Sequence, residues 1–228
     1  MNKKVNYSIA IDGPSGSGKS SVAKWLANKL HLTYINTGLV YRTIAYLINK
    51  ANLPLTINDS HFTVLDQYQL NFNGDKVVVD GEEISSLLAS QKVANQASTL
   101  SMNQRIRDYA NNIIKKLASQ VDVIMDGRDI GTVVLPDAFL KIYLTSTLKE
   151  RATRRFLQNQ SLGMKDKTYE EIFDELLYRD TQDMTRAIAP LKKATDAYEI
   201  MNDGMNIEET ALYILGIYND KLKNKEKR

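Results

Sequence analysis

No cysteine occurs among the 228 residues, which excludes a disulfide framework and any cysteine-ligated zinc site. Histidine is nearly as scarce. His31 and His61 are far apart in the chain, and two ordinary histidines are a better reading than a metal pair. No apolar run is long enough for a transmembrane helix. Two lysines stand near the start, but the short apolar stretch Ile9-Ala10-Ile11 gives way at once to a glycine-rich loop, so no signal peptide is expected. A cytoplasmic protein with no membrane partner follows. Neither charge sign dominates: 30 basic and 27 acidic residues leave a net +3. That balance predicts no nucleic-acid partner, yet it fits a small acidic ligand if the basic groups cluster locally. Internal repeats and low-complexity linkers are also missing.

What is present reads as α/β. Residues 7–11 form a short apolar run ending at Asp12-Gly13, as a buried strand does. Val22, Ala23, Leu26, Ala27 and Leu30 then fall on one helical face. Tyr34-Ile35 predicts a second strand and residues 38–50 a second helix. Strands are expected again at 121–125, 140–144 and 197–201, and a C-terminal helix carries Ile207, Leu212, Ile214, Leu215 and Leu222. Such alternation argues for a parallel five-stranded sheet flanked by helices. Between about 60 and 90 the period changes. Tyr68, Leu70 and Phe72 alternate with polar residues, and Asn73-Gly74 precedes Val77-Val78-Val79 and Asp80-Gly81; an antiparallel insert is predicted there. Helix resumes near Ser90. A break is expected near Ser101, where Ser101-Met102-Asn103-Gln104 has capping-box form. A long charged helical stretch covers 148–184, interrupted near Gly163, and the basic tail 221–228 reads as a solvated end.

The strongest motif is Gly13-Pro14-Ser15-Gly16-Ser17-Gly18-Lys19-Ser20, which fits G-x-x-x-x-G-K-[ST] between a strand and a helix. Glycines let successive N–H groups point at phosphate oxygens, and the helix N-terminus adds positive potential. Pro14 has no N–H, so the cradle is expected from residues 15–20, with Ser21 beside it. Lys19 would reach the β- and γ-phosphates and Ser20 would hold Mg²⁺. A nucleoside triphosphate is therefore the expected ligand, with the reaction left open. A phosphate acceptor would bring two anions together and needs several guanidinium groups. Candidates are Arg42, Arg128 just past a strand end, Arg179 with Asp183 and Arg186 on one helix face, and Arg151, Arg154 and Arg155 on another. Each alone could be a surface charge, and Arg179 with Asp183 a helix salt bridge. Asp126 ends an apolar strand and serves equally well as a further Mg²⁺ carboxylate or as a residue that orients Arg128.

Four segments carry a resemblance in sequence order. They are Asp12 through Lys19, Thr37-Gly38-x-x-Tyr41-Arg42, Asp126-Gly127-Arg128-Asp129-Ile130-Gly131-Thr132, and Arg179-Asp180-x-x-Asp183-x-x-Arg186-Ala187-x-Ala189-Pro190-Leu191. The chain resembles the bacterial cytidylate kinases, within the nucleoside-monophosphate kinase family of P-loop proteins, over about residues 9–198. The resemblance implies γ-phosphate transfer from Mg·ATP to CMP or dCMP by a monomer. It implies a core of 1–37, 109–147 and 187–228, a monophosphate-binding region of 38–108 containing the insert, and a helical lid of 148–186. Arg42, Arg128 and Arg186 would hold the CMP phosphate; Ser98, Arg107 and Asp129 would contact cytosine; Arg179 and Asp183 would contact the ribose. Thr37 and Tyr41 belong with the acceptor site. Arg151, Arg154 and Arg155 would lie on the lid and close over the ATP phosphates. Lys19, Arg128, Arg151, Arg155 and Arg186 would act on the transferring group. Ser98 and Arg107 are nine residues apart, on opposite faces of one unbroken helix, and the break near Ser101 would let both meet one base. Another small acceptor, such as UMP, AMP or a metabolite, stays open, and so does a regulatory NTP- or RNA-binding protein.

Overall fold

A computed structural model describes residues 7–119, 121–164 and 166–226. The extreme N-terminal residues weighed as a signal and the last two residues of the basic tail lie outside them.

The central strand is β1 (Ser8–Asp12). Its residues alternate between two cores: Ala10 joins one, and Ile9 and Ile11 join the other, the period-2 pattern of a sheet covered on both faces. α1 (Lys19–Leu30) leads to β2 (Thr33–Asn36) and α2 (Thr37–Lys50). β6 (Val123–Gly127), β7 (Leu140–Thr145) and β8 (Tyr198–Met201) complete a five-stranded sheet in the order β2-β6-β1-β7-β8. Every pairing in it is parallel. α1 packs with α8 (Ile207–Glu226) on one face, through Val22, Ala23 and Leu26 against Ala211 and Ile214. α2, α4 (Gln91–Leu100) and α5 (Gln104–Ala118) cover the other, through Ile44, Ala97, Ile106 and Ala110.

Corrections concern the ends of elements. The third core strand starts at Val123, two residues late, and takes Asp126 and Gly127 into the sheet. The insert is antiparallel only from β3 (Leu70–Asn73) through β4 (Lys76–Val79) to β5 (Glu82–Glu83). Its first part is helix α3 (Asp59–Leu65). Asn58 caps that helix: its Oδ1 accepts from the Ser60 N–H at 3.1 Å, and its own N–H is accepted by His61 Nδ1 at 3.3 Å. Buried His61 and Leu65 then face the core. The break at Ser101 exists, but Ser101 closes α4 and the cap of α5 is Asn103, whose Oδ1 accepts from the Arg105 and Ile106 amides. A π-helical turn (Ile130–Val134) follows β6, which periodicity did not suggest.

The insert returns to the sheet. Gly74, at φ 61°, sits in the β3–β4 turn and bridges Ile35 on the outer edge of β2, and Asp75 pairs with Lys24 of α1. α6 (Leu148–Ser161) and α7 (Tyr169–Thr185) form a hairpin with a small core of its own, Ala152, Ile172 and Leu176. Thr168 and Glu171 cap α7 reciprocally.

Candidate active site

A cleft of about 790 Å³ opens above the C-terminal ends of the strands, between the phosphate loop, helices α2 and α4, and the α6–α7 hairpin, where open α/β sheets take ligands. The loop begins at Gly13, where a Cβ would stand 2.0 Å from the Leu144 carbonyl oxygen, so glycine is obligatory. Ser15 is held at both backbone groups. Its N–H donates to Asp180 Oδ1 at 2.9 Å and its carbonyl accepts from Arg151 Nη1 at 2.8 Å. The cradle expected from residue 15 onward is thus left to the amides after it. Lys19 Nζ donates to Pro14 O at 2.5 Å and to Ser17 Oγ at 3.2 Å. Burial, then the neighbouring Arg128 charge, holds its ammonium well below the usual lysine range. An anion delivered here relieves both costs.

Ser20 Oγ donates to Asp126 Oδ2 at 2.7 Å, and Tyr34 OH donates to Asp126 Oδ1 at 2.7 Å. Burial and the Asp126 charge push the Tyr34 hydroxyl far up. Asp126 therefore orients Ser20; it makes no hydrogen bond to Arg128, which donates from Nε to Asp183 at 2.7 Å.

On the acceptor side, Arg107 pairs with Asp129, donates to Ser101 O at 3.1 Å and stacks over the Tyr41 ring at 5.6 Å. Asp129 also faces Arg186 at 3.5 Å, and Asp183 faces Arg186 at 3.6 Å. Arg186 is not helical: it terminates α7 and donates to Ala189 O at 2.7 Å. Burial, then Arg107, lowers its pKa. Arg42 donates to Leu88 O at 2.8 Å. Arg179 makes no hydrogen bond or ion pair among the described residues; burial and then Arg128 pull it down to about 10. The alternative of an Arg179–Asp183 helix salt bridge is not realised, because Asp183 serves Arg128 and Arg186. Ser98 and Arg107 both line the cleft, as do Thr37, Tyr41, Ser21, Arg154 and Arg155.

The cytidylate kinase profile matches residues 9–220. The chain belongs to the cytidylate kinase family. A cytidylate kinase of Ureaplasma urealyticum is 48% identical over 98% of this chain and 99% of that one. Another, of Mycoplasmoides gallisepticum, is 40% identical over 97% and 98%. Among solved structures, a gluconokinase from Sinorhizobium meliloti matches with a TM-score of 0.50 at 13% identity, covering 98% of this chain and 99% of that one, which is a likeness of fold.

Against this family background Arg151 stands apart from the other two arginines of its helix. It is buried and absent from the cleft lining. Its Nε donates to Ser146 O at 3.0 Å, and its guanidinium pairs with buried Asp180. Arg154 and Arg155 face the cleft, with Arg154 donating to Asn202 O at 2.6 Å. The sequence assigned no role to Asp180, Tyr34 or Asn202, whose Nδ2 donates to Ser17 O at 3.1 Å. Arg151→Met leaves Asp180 buried without its cation and is expected to cost about 3–5 kcal/mol in urea unfolding. Arg151→Met with Asp180→Leu should recover most of that, and no recovery would deny the pair its structural role.

Proposed function

We propose that the chain transfers the γ-phosphate of ATP to CMP or dCMP, giving ADP and CDP or dCDP. The observation that carries this reading is the Arg107–Asp129 pair at the acceptor end of the cleft, one carboxylate and one guanidinium converging with Ser98. A carboxylate suits the N4 amino group of cytosine, and an Arg or Ser donor suits its N3 or O2. Uracil would set a carbonyl against Asp129, a mismatch that buried sites reject strongly. Arg42, Arg128 and Arg186 would neutralise the CMP phosphate, with Arg179 and Asp183 at the ribose. The loop amides and Lys19 would hold the ATP phosphates, with Arg154 and Arg155 closing from the lid, residues 148–186. Arg151 acts differently from the role first expected of it: it would position the loop through Ser15 rather than touch ATP.

Ser20 and Asp126 would hold Mg²⁺; their oxygen-only donor set fits a hard cation. When bound, that ion adds charge neutralisation at the phosphates. The attacking phosphate oxygen is already anionic, so no general base is needed. Lys19 and the arginines stabilise charge spread over the transferring group, and lid closure would exclude water. A monomeric state is part of the same proposal. Among the described residues no helix is long and apolar enough to cross a membrane, and a cytoplasmic location remains part of the proposal.

The test is ADP formation from Mg·ATP with CMP, dCMP, UMP or AMP beside a no-acceptor control. Fast turnover with CMP and dCMP alone is expected. Fast turnover with another acceptor would overturn the cytosine assignments, and slow acceptor-independent hydrolysis would point to a regulatory NTP-binding protein.

A further inference from the structure

Asp12 closes β1 directly before the phosphate loop, yet its side chain serves the acceptor side. It is buried, at 4% exposure. Oδ1 accepts from the Ile130 N–H at 2.8 Å and Oδ2 from the Gly131 N–H at 2.7 Å. These are the first two amides of the π-helical turn Ile130–Val134, and the residue preceding that turn is Asp129. Leading amides of a helical turn have no partner inside it. The local side chain that would normally cap them is unavailable, because Asp129 points to Arg107 and Arg186. Asp12 therefore caps the turn from 118 positions away in sequence.

The approach is close. A Cβ on Gly131 would stand 3.4 Å from Asp12 Oδ2 and 3.2 Å from Lys141 Cδ, and a Cβ on Gly127 would stand 2.7 Å from Ile130 Cδ1. The turn is thus fixed on both sides.

We propose that Asp12 is a positioning residue for acceptor recognition: by clamping the two amides after Asp129, it sets the reach of the Asp129 carboxylate toward the base. This rests on the cytosine reading of Asp129.

Several charges surround the clamp. Asp129 raises the Asp12 proton affinity and Lys19 lowers it. Tyr143 of β7 lies in register with Asp12, and Lys141, beyond Gly131, is paired with Asp196. Burial outweighs the two amide bonds and pushes Asp12 up to about 6. Below that pH the protonated carboxyl loses acceptor capacity and the turn loosens. Stability runs the other way. The folded value of about 6 lies above the ordinary 3.8, so the folded chain binds the extra proton. The contribution of this group to stability therefore rises as pH falls from about 6 to about 4. Acid loss of CMP use through Asp12 is not unfolding.

The experiment compares Asp12→Asn with the unsubstituted protein in KM and kcat for CMP and in calorimetric binding of a non-hydrolysable ATP analogue. Asn keeps the shape but turns one acceptor into an NH₂ facing an N–H. At pH 7.5 kcat/KM for CMP should fall about tenfold through KM, the scale of one lost charged hydrogen bond. Affinity for the ATP analogue should stay within about twofold. The ratio of unsubstituted to variant activity, in which the ionisation of CMP's own phosphate near pH 6 cancels, should shrink toward pH 5. An equal loss on the ATP side, or a ratio independent of pH, would overturn the proposal. Should the variant not fold, ¹⁵N spectra of the unsubstituted protein decide: the Ile130 and Gly131 amides should titrate together near pH 6, and amides that do not move sink the clamp. Asp129→Ala, run in parallel, separates the two layers. Unchanged CMP use there overturns the cytosine reading, while the amide titration still reports on the clamp itself.

Discussion

Replacing Lys19 by methionine should lower kcat by at least about 10²-fold, the scale of losing one preorganised charge at the transferring group, and should leave the nucleotide-free protein as stable as before or more so. The two halves have one cause. Lys19 is buried, its hydrogen-bond partners among the described residues are Pro14 O and Ser17 Oγ, and Arg128 adds repulsion. Its folded pKa lies well below 10.5, so at neutral pH the ionised lysine costs folding free energy, and that cost is lost in methionine. Only the arrival of nucleotide phosphates makes the charge favourable. Initial rates with saturating ATP and CMP, beside a thermal melt without nucleotide, test both. Full activity would remove Lys19 from the chemistry, and a large drop in Tm would show that its charge supports the empty loop.

Asp129→Asn should act on specificity and stability together. Arg107 is 2% exposed and has Asp129 as its one carboxylate partner among the described residues, so removing the negative charge is expected to cost about 3–5 kcal/mol, read by denaturant unfolding. The kcat/KM for CMP should fall about 10²-fold or more, since a buried site then faces the cytosine amino group with a donor. UMP use should fall much less, narrowing the ratio between the acceptors, and binding of an ATP analogue should stay near its original value. Equal losses for CMP and ATP would remove Asp129 from base recognition.

The parallel sheet was legible because its strands are apolar runs ending in Asp-Gly or similar breaks, and the phosphate loop because its spacing is rigid. The start of the insert was not. Residues 59–65 lack a long helical stripe, and α3 depends on Asn58 and on His61, whose Nε2 meets Pro54 O at 2.7 Å, a local side-chain contact that no hydrophobic pattern announces. Ser101 and Asn103 both suit a cap, and the choice falls to Asn103 because Ser101 Oγ instead donates to Ser98 O at 2.7 Å. In the site, the arginines could be picked out by number and spacing, while their partners could not. Asp180 stood in a signature segment beside Arg179 with nothing to name its partner, and Arg151 looked like its neighbours Arg154 and Arg155. Which face of α6 looks into the cleft and which lies beneath the loop depends on how α6 meets α7, and helical spacing gives only that the three are close together.

The docking of the Gly74 turn on β2 has a consequence for the protein in a crowded cell. β2 is an edge strand, and an uncovered edge offers unpaired N–H and C=O groups to the edge of another molecule. The bridge from Gly74 to Ile35, with Asp75 on Lys24, covers part of that edge with the protein's own insert. The insert is thus also a guard against chain-to-chain pairing. A conformation with the insert lifted away would bare that edge, so its docking serves solubility as well as the fold.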